Sequence, residues 1–196
     1  VTFPNVFVGS VSATGTDPFT NQGGSASGQV TADGETVTLN VQFAQYGNLT
    51  GTIFRRDGVT PAPGAQVTVD LSPGGRFSTT ADANGVYRLD FLPFSSFTIT
   101  VFDPATRGRA TDSGAFTASG QTLVRNEVLL PQGALLITVN DADGAPVNGA
   151  SVTATTQAQG LLDSRQGATA NLNGNDGQVL LDRMLAGAFT VTANAG

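Results

Sequence analysis

The chain repeats itself. Shifting the sequence by 86 positions lays residues 1–58 on 87–144 without a gap, and 17 of the 58 pairs are identical. Roughly a third of that number would match by composition in a chain so rich in Thr, Gly and Ala. The matches cluster. Asp17-Pro18 and Thr20 meet Asp103-Pro104 and Thr106; Ser27-Gly28, Thr31-Ala32, Gly34 and Thr36 meet Ser113-Gly114, Thr117-Ala118, Gly120 and Thr122. Asn40, Gly47, Leu49, Thr52 and Asp57-Gly58 meet Asn126, Gly133, Leu135, Thr138 and Asp143-Gly144. Self-similarity at a fixed period is the mark of an array of like modules.

The third copy carries two changes of spacing, both after the shared Asp-Gly. Gly64-Ala65-Gln66-Val67-Thr68 lies on Gly149-Ala150-Ser151-Val152-Thr153, whereas Gly85-Val86-Tyr87 lies on Gly177-Gln178-Val179 and Phe97-Thr98-Ile99-Thr100 on Phe189-Thr190-Val191-Thr192. The difference is a seven-residue insertion within the stretch Thr155 to Asp176, and insertions of this kind are expected at loop tips. The chain therefore divides into the C-terminal part of one unit (1–46), a complete unit (47–132), and the front part of a third (133–196) with an inserted loop near 155–176.

Inside the complete unit the apolar residues alternate with period two, the strand signature. Val67, Val69 and Leu71 form one run, Tyr87, Leu89 and Phe91 a second, Phe97, Ile99 and Val101 a third. The breaks carry turn chemistry at Asp57-Gly58, Pro61 to Gly64, Pro73-Gly74-Gly75, Asp103-Pro104 and Ser119-Gly120. Asn84-Gly85 and Asp176-Gly177 are the strongest hairpin signals. Seven short strands per unit predict an all-β fold of tandem antiparallel β-sandwiches. One clash stands out: Val37, Leu39, Val41 and Phe43 alternate cleanly, but their partners one repeat on are Leu123, Arg125, Glu127 and Leu129. Either a bulge shifts the register there or that strand is a more exposed edge.

Composition narrows the function. There is no His and no Cys, and all nine basic residues are Arg, so there is no Lys. No imidazole base, thiol nucleophile, thiolate metal cluster, disulfide or Schiff-base lysine can be built. The expectation is a protein that is not an enzyme, with no catalytic, cofactor-binding or metal residues. Net charge is −6 with no basic cluster, against nucleic acid as a partner. No apolar run approaches the ~20 residues that span a bilayer, so no membrane insertion is expected. The absence of Cys fits a reducing cytosol or an exported bacterial protein equally.

At these residues the complete unit resembles the carboxypeptidase regulatory-like domain, a transthyretin-like or CnaB-type seven-stranded Ig-like sandwich of bacterial surface and secreted proteins. The resemblance rests on Gly51-Thr52-Ile53, Asp57-Gly58, Pro61 or Pro63, Gly64 to Val69, Thr80 to Gly85, Val86-Tyr87, and Leu92 leading to Phe97 to Val101. The third unit repeats it as Asp143-Gly144, Pro146, Gly149 to Val152, Asp176-Gly177, and Leu185 to Val191. Ser95 and Ile137 depart from it where Gly9 with Gly187, and Gly51, stand in the other copies. The resemblance implies a spacer, stalk, adhesion or accessory role. Related domains often carry a Lys–Asn isopeptide crosslink, which a chain without Lys cannot form.

Several short patterns compete with that reading. Asp112-Ser113-Gly114 spells the aspartic protease signature, but its partner in the first copy is Ala26-Ser27-Gly28 and no apolar strand precedes it. Asp141 and Asp143 before Gly144 look like the start of a calcium loop without its other ligands or closing Glu, so a turn is expected. Asn173, Asn175 and Asp176 could offer side-chain oxygens in the inserted stretch, although turns use the same residues. Asn48-Leu49-Thr50 is a glycosylation sequon inside a strand pattern. The Phe residues are expected mostly in the core. Two functions follow: a structural repeat of an extracellular bacterial stalk, fibre or filament, self-associating head to tail through its partial end units; or an accessory carbohydrate- or protein-binding module of a larger secreted or outer-membrane protein. Both imply a secreted or cell-surface location.

Overall fold

The computed structural model describes residues 1–194, and among them are sixteen strands and no helix. No helix is therefore long and apolar enough to cross a membrane. Residues 1–46 supply β1 (Gly9–Thr16) and β2 (Gly23–Val30), an antiparallel hairpin that pairs Val11 with Gly28 and Ala13 with Ala26. Its inward face is small: Val11, Ala13 and Gly15 beside Gly24, Ala26 and Gly28. Residues 37–43 lie across that face without strand pairing of their own. A methyl group on Gly28 would stand 2.8 Å from Leu39, and one on Gly24 2.3 Å from the Gln42 carbonyl oxygen, so only glycine admits the cover this closely.

The middle of the chain makes two facing sheets. One has the order β5 (Gly75–Thr80), β4 (Gln66–Ser72), β7 (Ser96–Phe102), β8 (Arg109–Ala115). The other centres on β3 (Tyr46–Phe54), with β6 (Val86–Pro93) on one side and β9 (Gln121–Val124) and β10 (Glu127–Val128) on the other. Between them Leu49, Ile53, Val67, Val69, Ile99 and Val101 are fully buried, as period-two alternation requires of strands wetted on one face. The arrangement is not wholly antiparallel: β9 and β10 run parallel to β3.

The strand that clashed in the repeat takes neither expected course alone. Its register on β3 is unbroken, Gly47 opposite Gln121, Leu49 opposite Leu123 and Ile53 opposite Glu127, so no bulge occurs there. It is an edge strand, yet Arg125 and Glu127 keep the inward phase and Val124 and Val128 face solvent. The bulge lies in β6 instead. Between Gly47 and Leu49 the register slips, Phe91 takes a positive φ of 55° and turns outward, and Leu92 is buried in its place. Phe91 thus leaves the core to which alternation assigned it.

The rest forms a smaller pair of sheets: β13 (Leu161–Ala168), β12 (Ser151–Ala158), β16 (Ala188–Asn194), and β11 (Gln132–Thr138), β15 (Asn175–Leu185), β14 (Ala170–Leu172). Val152, Ala154, Val179, Leu181 and Met184 make a separate core. The β6 bulge recurs in β15, with Arg183 at φ 52° and Met184 buried. The inserted stretch is not a loop. It lengthens the β12–β13 hairpin and builds β14, because Gln159-Gly160 and Asn173-Gly174 both take the paired positive φ of a tight hairpin turn.

The two expected hairpin turns do another job. Asn84-Gly85 joins strands of different sheets, and Asp176-Gly177 lies within β15. A methyl on Gly85 would meet the Ile53 carbonyl oxygen at 2.8 Å and Pro61 at 3.0 Å; on Gly177 it would meet the Val139 oxygen at 2.8 Å and Pro146 at 2.8 Å. Both glycines let the preceding connection pack against the backbone. The phenylalanines also depart from expectation. Phe97 and Phe116 are buried, whereas Phe3, Phe7, Phe19, Phe43, Phe91 and Phe189 are exposed.

Candidate functional site

The 86-residue spacing recurs in hydrogen bonds. Asp17 accepts from the Phe19 amide and the Thr20 hydroxyl, and Asp103 accepts from the Ala105 amide and the Thr106 hydroxyl. In each turn the residue four places on takes a positive φ, Asn21 at 58° and Arg107 at 64°, and donates its amide to the Asp carbonyl. Further along, Glu35 accepts from the Thr31 amide and Gln121 from the Thr117 amide.

The two copies differ most at the seam where β8 faces β9 and β10. In the first copy the inward positions are Ala26, Leu39 and Val41; in the second they are Asp112, Arg125 and Glu127. Arg125 Nε lies 3.7 Å from an Asp112 carboxylate oxygen and, among the described residues, makes no hydrogen bond. The Tyr87 hydroxyl donates to the Arg125 carbonyl oxygen at 2.9 Å. Burial, and secondarily the Asp112 charge, push the Glu127 carboxyl up to about 7, against the opposing pull of Arg125. Burial also raises the Tyr87 hydroxyl well above its usual range. Two glycines make room: a methyl on Gly51 would stand 1.7 Å from the Arg125 carbonyl oxygen, and one on Gly114 would stand 2.9 Å from the Arg125 guanidinium. Burying charge costs free energy unless it is paired, and this seam balances two carboxylates with one guanidinium.

In the sequence, Arg125 and Glu127 stand out only as a disturbed strand pattern. The readable signal was that three apolar or small positions of one copy become three charged ones of the next. Asp112 of the Asp-Ser-Gly pattern belongs to this seam; it faces Arg125 rather than a second aspartate in a dyad.

The other singled-out residues serve local structure. Asp141 accepts from the Asp143 and Ala145 amides and so closes its own turn, while Asp143 is exposed. Asp176 accepts from the Asn148 and Asn171 side chains, which hold its carboxyl below its ordinary range. Asn173 occupies the β14–β15 turn and Asn175 opens β15. No cluster of three or more acidic side chains that could hold a metal occurs among the described residues. The sequon lies within β3: Asn48 accepts from the Phe91 amide, Leu49 is buried, and the Thr50 hydroxyl donates to the Tyr87 carbonyl. At the junction with the third unit, a cleft of about 570 Å3 is rimmed by Arg55, Arg56 and Arg183.

The sides of β16 and β11 that correspond to those covered by β8, and by β9 and β10, on β7 and β3 are uncovered among the described residues. β16 pairs with β12 and β11 with β15, but their other sides pair with nothing among the described residues. Phe189 on β16 is 55% exposed, against 3% for Phe97 at the matching place of β7. Unpaired strand edges are templates for further strands.

No family model matches the chain, and no curated protein matches it. Solved structures do. A streptococcal ancillary pilin aligns over 88% of this chain and 66% of its own length, at 10% identity and TM-score 0.43. The Bacillus anthracis TIE protein aligns over 97% and 43%, at 19% identity and TM-score 0.37. The shaft pilin SpaA of Lactobacillus rhamnosus GG aligns over 77% and 87%, at 12% identity and TM-score 0.32. The chain thus spans 66% or less of the first two.

Proposed function

We propose that this chain is a non-catalytic structural repeat of an extracellular bacterial stalk, surface fibre or filament. In this reading it consists of tandem seven-stranded Ig-like or transthyretin-like sandwiches, and copies associate head to tail through the open edges. The observation that carries the reading is the recurrence of the same turns and the same inward seam positions 86 residues apart. A module that repeats its scaffold while changing its seam suits an array, where each unit needs a stable core and its own match to a neighbour. An unpaired edge on such a unit propagates into a line of subunits when the contact is heterologous.

Size-exclusion chromatography with light scattering over a range of concentrations tests it. Mass rising with concentration is the expected result. A folded chain that stays monomeric throughout overturns head-to-tail association, and a monomer that also captures a glycan on an array would establish the accessory binding module instead.

A further inference from the structure

The two junctions between units use matching repeat positions but fill them differently. At the first, those positions are Phe19, Phe43, Tyr46 and Phe91, and the rings of Tyr46 and Phe91 pack together with centroids 5.3 Å apart. At the second they are Ala105, Leu129, Gln132 and Arg183. Every ring is gone. These four residues line the cleft of about 570 Å3 between the complete and third units, a volume inside the roughly 300–1,000 Å3 typical of ligand sites.

The connection that floors the cleft is held from both sides. Leu130 donates its amide to the Arg109 carbonyl of the complete unit, and Ala186 of the third unit donates to the Pro131 carbonyl. The Arg109 guanidinium also crosses to the Leu162 carbonyl, and the Gln132 side chain donates to the Arg183 carbonyl at the β15 bulge. A cleft pinned in this way spends little on ordering itself around a ligand.

Charge sets the class of that ligand. Arg55 and Arg56, on the connection after β3, make no salt bridge and no side-chain hydrogen bond among the described residues. Arg183 has its neighbour Asp182 at 3.5 Å, with both side chains more than half exposed, a contact worth little in water. Asp57, the acidic side chain on the cleft, accepts from the Val59 and Thr60 amides and the Thr60 hydroxyl, with a minor pull from Arg55. Three guanidiniums thus stand with one carboxylate around one cleft, in a chain of net charge −6. Screening over about 8 Å at physiological salt makes this local surplus what a small ligand meets. Guanidinium forks take carboxylate or phosphate oxygens in pairs, and no aromatic face lines the cleft for a neutral sugar to stack on.

We infer that this cleft binds a small polyanion bearing two or more carboxylate or phosphate groups, held between Arg55 and Arg56 of the complete unit and Arg183 of the third. Such a ligand ties the two units together across their junction. The site goes beyond the structural role proposed above and does not depend on association between copies.

Citrate and pyrophosphate, titrated into the chain by calorimetry at physiological ionic strength, are the probes. Saturable binding of one molecule per chain is expected for at least one of them, and the tighter one identifies the oxyanion. Arg55→Gln and Arg183→Gln should each weaken that binding about tenfold, the worth of one charge-assisted hydrogen bond, with unfolding midpoints unchanged. Arg88→Gln removes the same charge from an exposed pair on β6 and should leave binding unaltered. Failure of both anions to saturate at millimolar concentration overturns the inference. Equal weakening by Arg88→Gln also overturns it, by marking diffuse charge attraction, and a loss confined to the arginine of one unit overturns the bridge between units.

Discussion

Phe97 and Phe189 occupy matching positions on β7 and β16, as do Ile99 and Val191. In the complete unit they are 3% and 0% exposed, and in the third unit 55% and 37%. Both strands alternate with the same phase and pair with the same neighbour, β4 or β12. The difference comes from what stands beyond them. β8, β9 and β10 close the complete unit, and no described strand does so for the third. Burial is a property of the assembled layers, so like strand patterns make a core in one place and an exposed apolar face in the other.

Substitutions can break or sharpen that contrast. Phe97→Ala should cost about 3–5 kcal/mol in urea unfolding, while Phe189→Ala should stay within about 0.5 kcal/mol for the monomer; equal losses would erase the distinction. The comparison between the first and second seams is tested by Arg125→Leu, which takes the guanidinium from beside Asp112; with the pair 3.7 Å apart and each side chain about a third exposed, the loss should be on the order of 1 kcal/mol. The triple change Asp112→Ala, Arg125→Leu and Glu127→Val installs the first copy's residues and should recover that loss in the same unfolding measurement.

Glu127 adds a pH signature. Its carboxyl is raised on folding from 4.5 to about 7, so the folded state holds the proton more tightly than the unfolded chain. The resulting stability is complete below about pH 4.5 and is lost as pH rises through 7, by on the order of 2–3 kcal/mol. Glu127→Gln should flatten the thermal-unfolding profile across that window. The smallest contrast is between matched glycines. Gly47→Ala drives a methyl into Phe116 and should cost roughly 1–3 kcal/mol, whereas Gly133→Ala meets open space and should leave monomer stability unchanged.

Much of the fold was legible because turns and alternation are local. The Asp-Pro-x-Thr pattern at 17–20 and 103–106 gives the same capped turn twice, and β4 and β7 bury the residues their alternation selects. Reading faltered where a residue answers to something distant in sequence. Gly85 and Gly177 looked like hairpin glycines, but they accommodate connections more than 20 residues upstream. Phe91 looked like core until the β6 bulge turned it out. The inserted stretch, rich in Gln, Asn and Gly, looked like a loop, yet its two tight turns fold it into strands.

By itself the sequence determined the repeat, the all-β character and the missing reactive side chains, because each depends only on residue identity and spacing along the chain. Only the tertiary structure decided that Asp112, Arg125, Glu127 and Tyr87 share a seam, that β9 and β10 run parallel to β3, and that β11 and β16 keep open edges. Those facts depend on which strands become neighbours, a matter of layers closing over distant segments that no local pattern encodes.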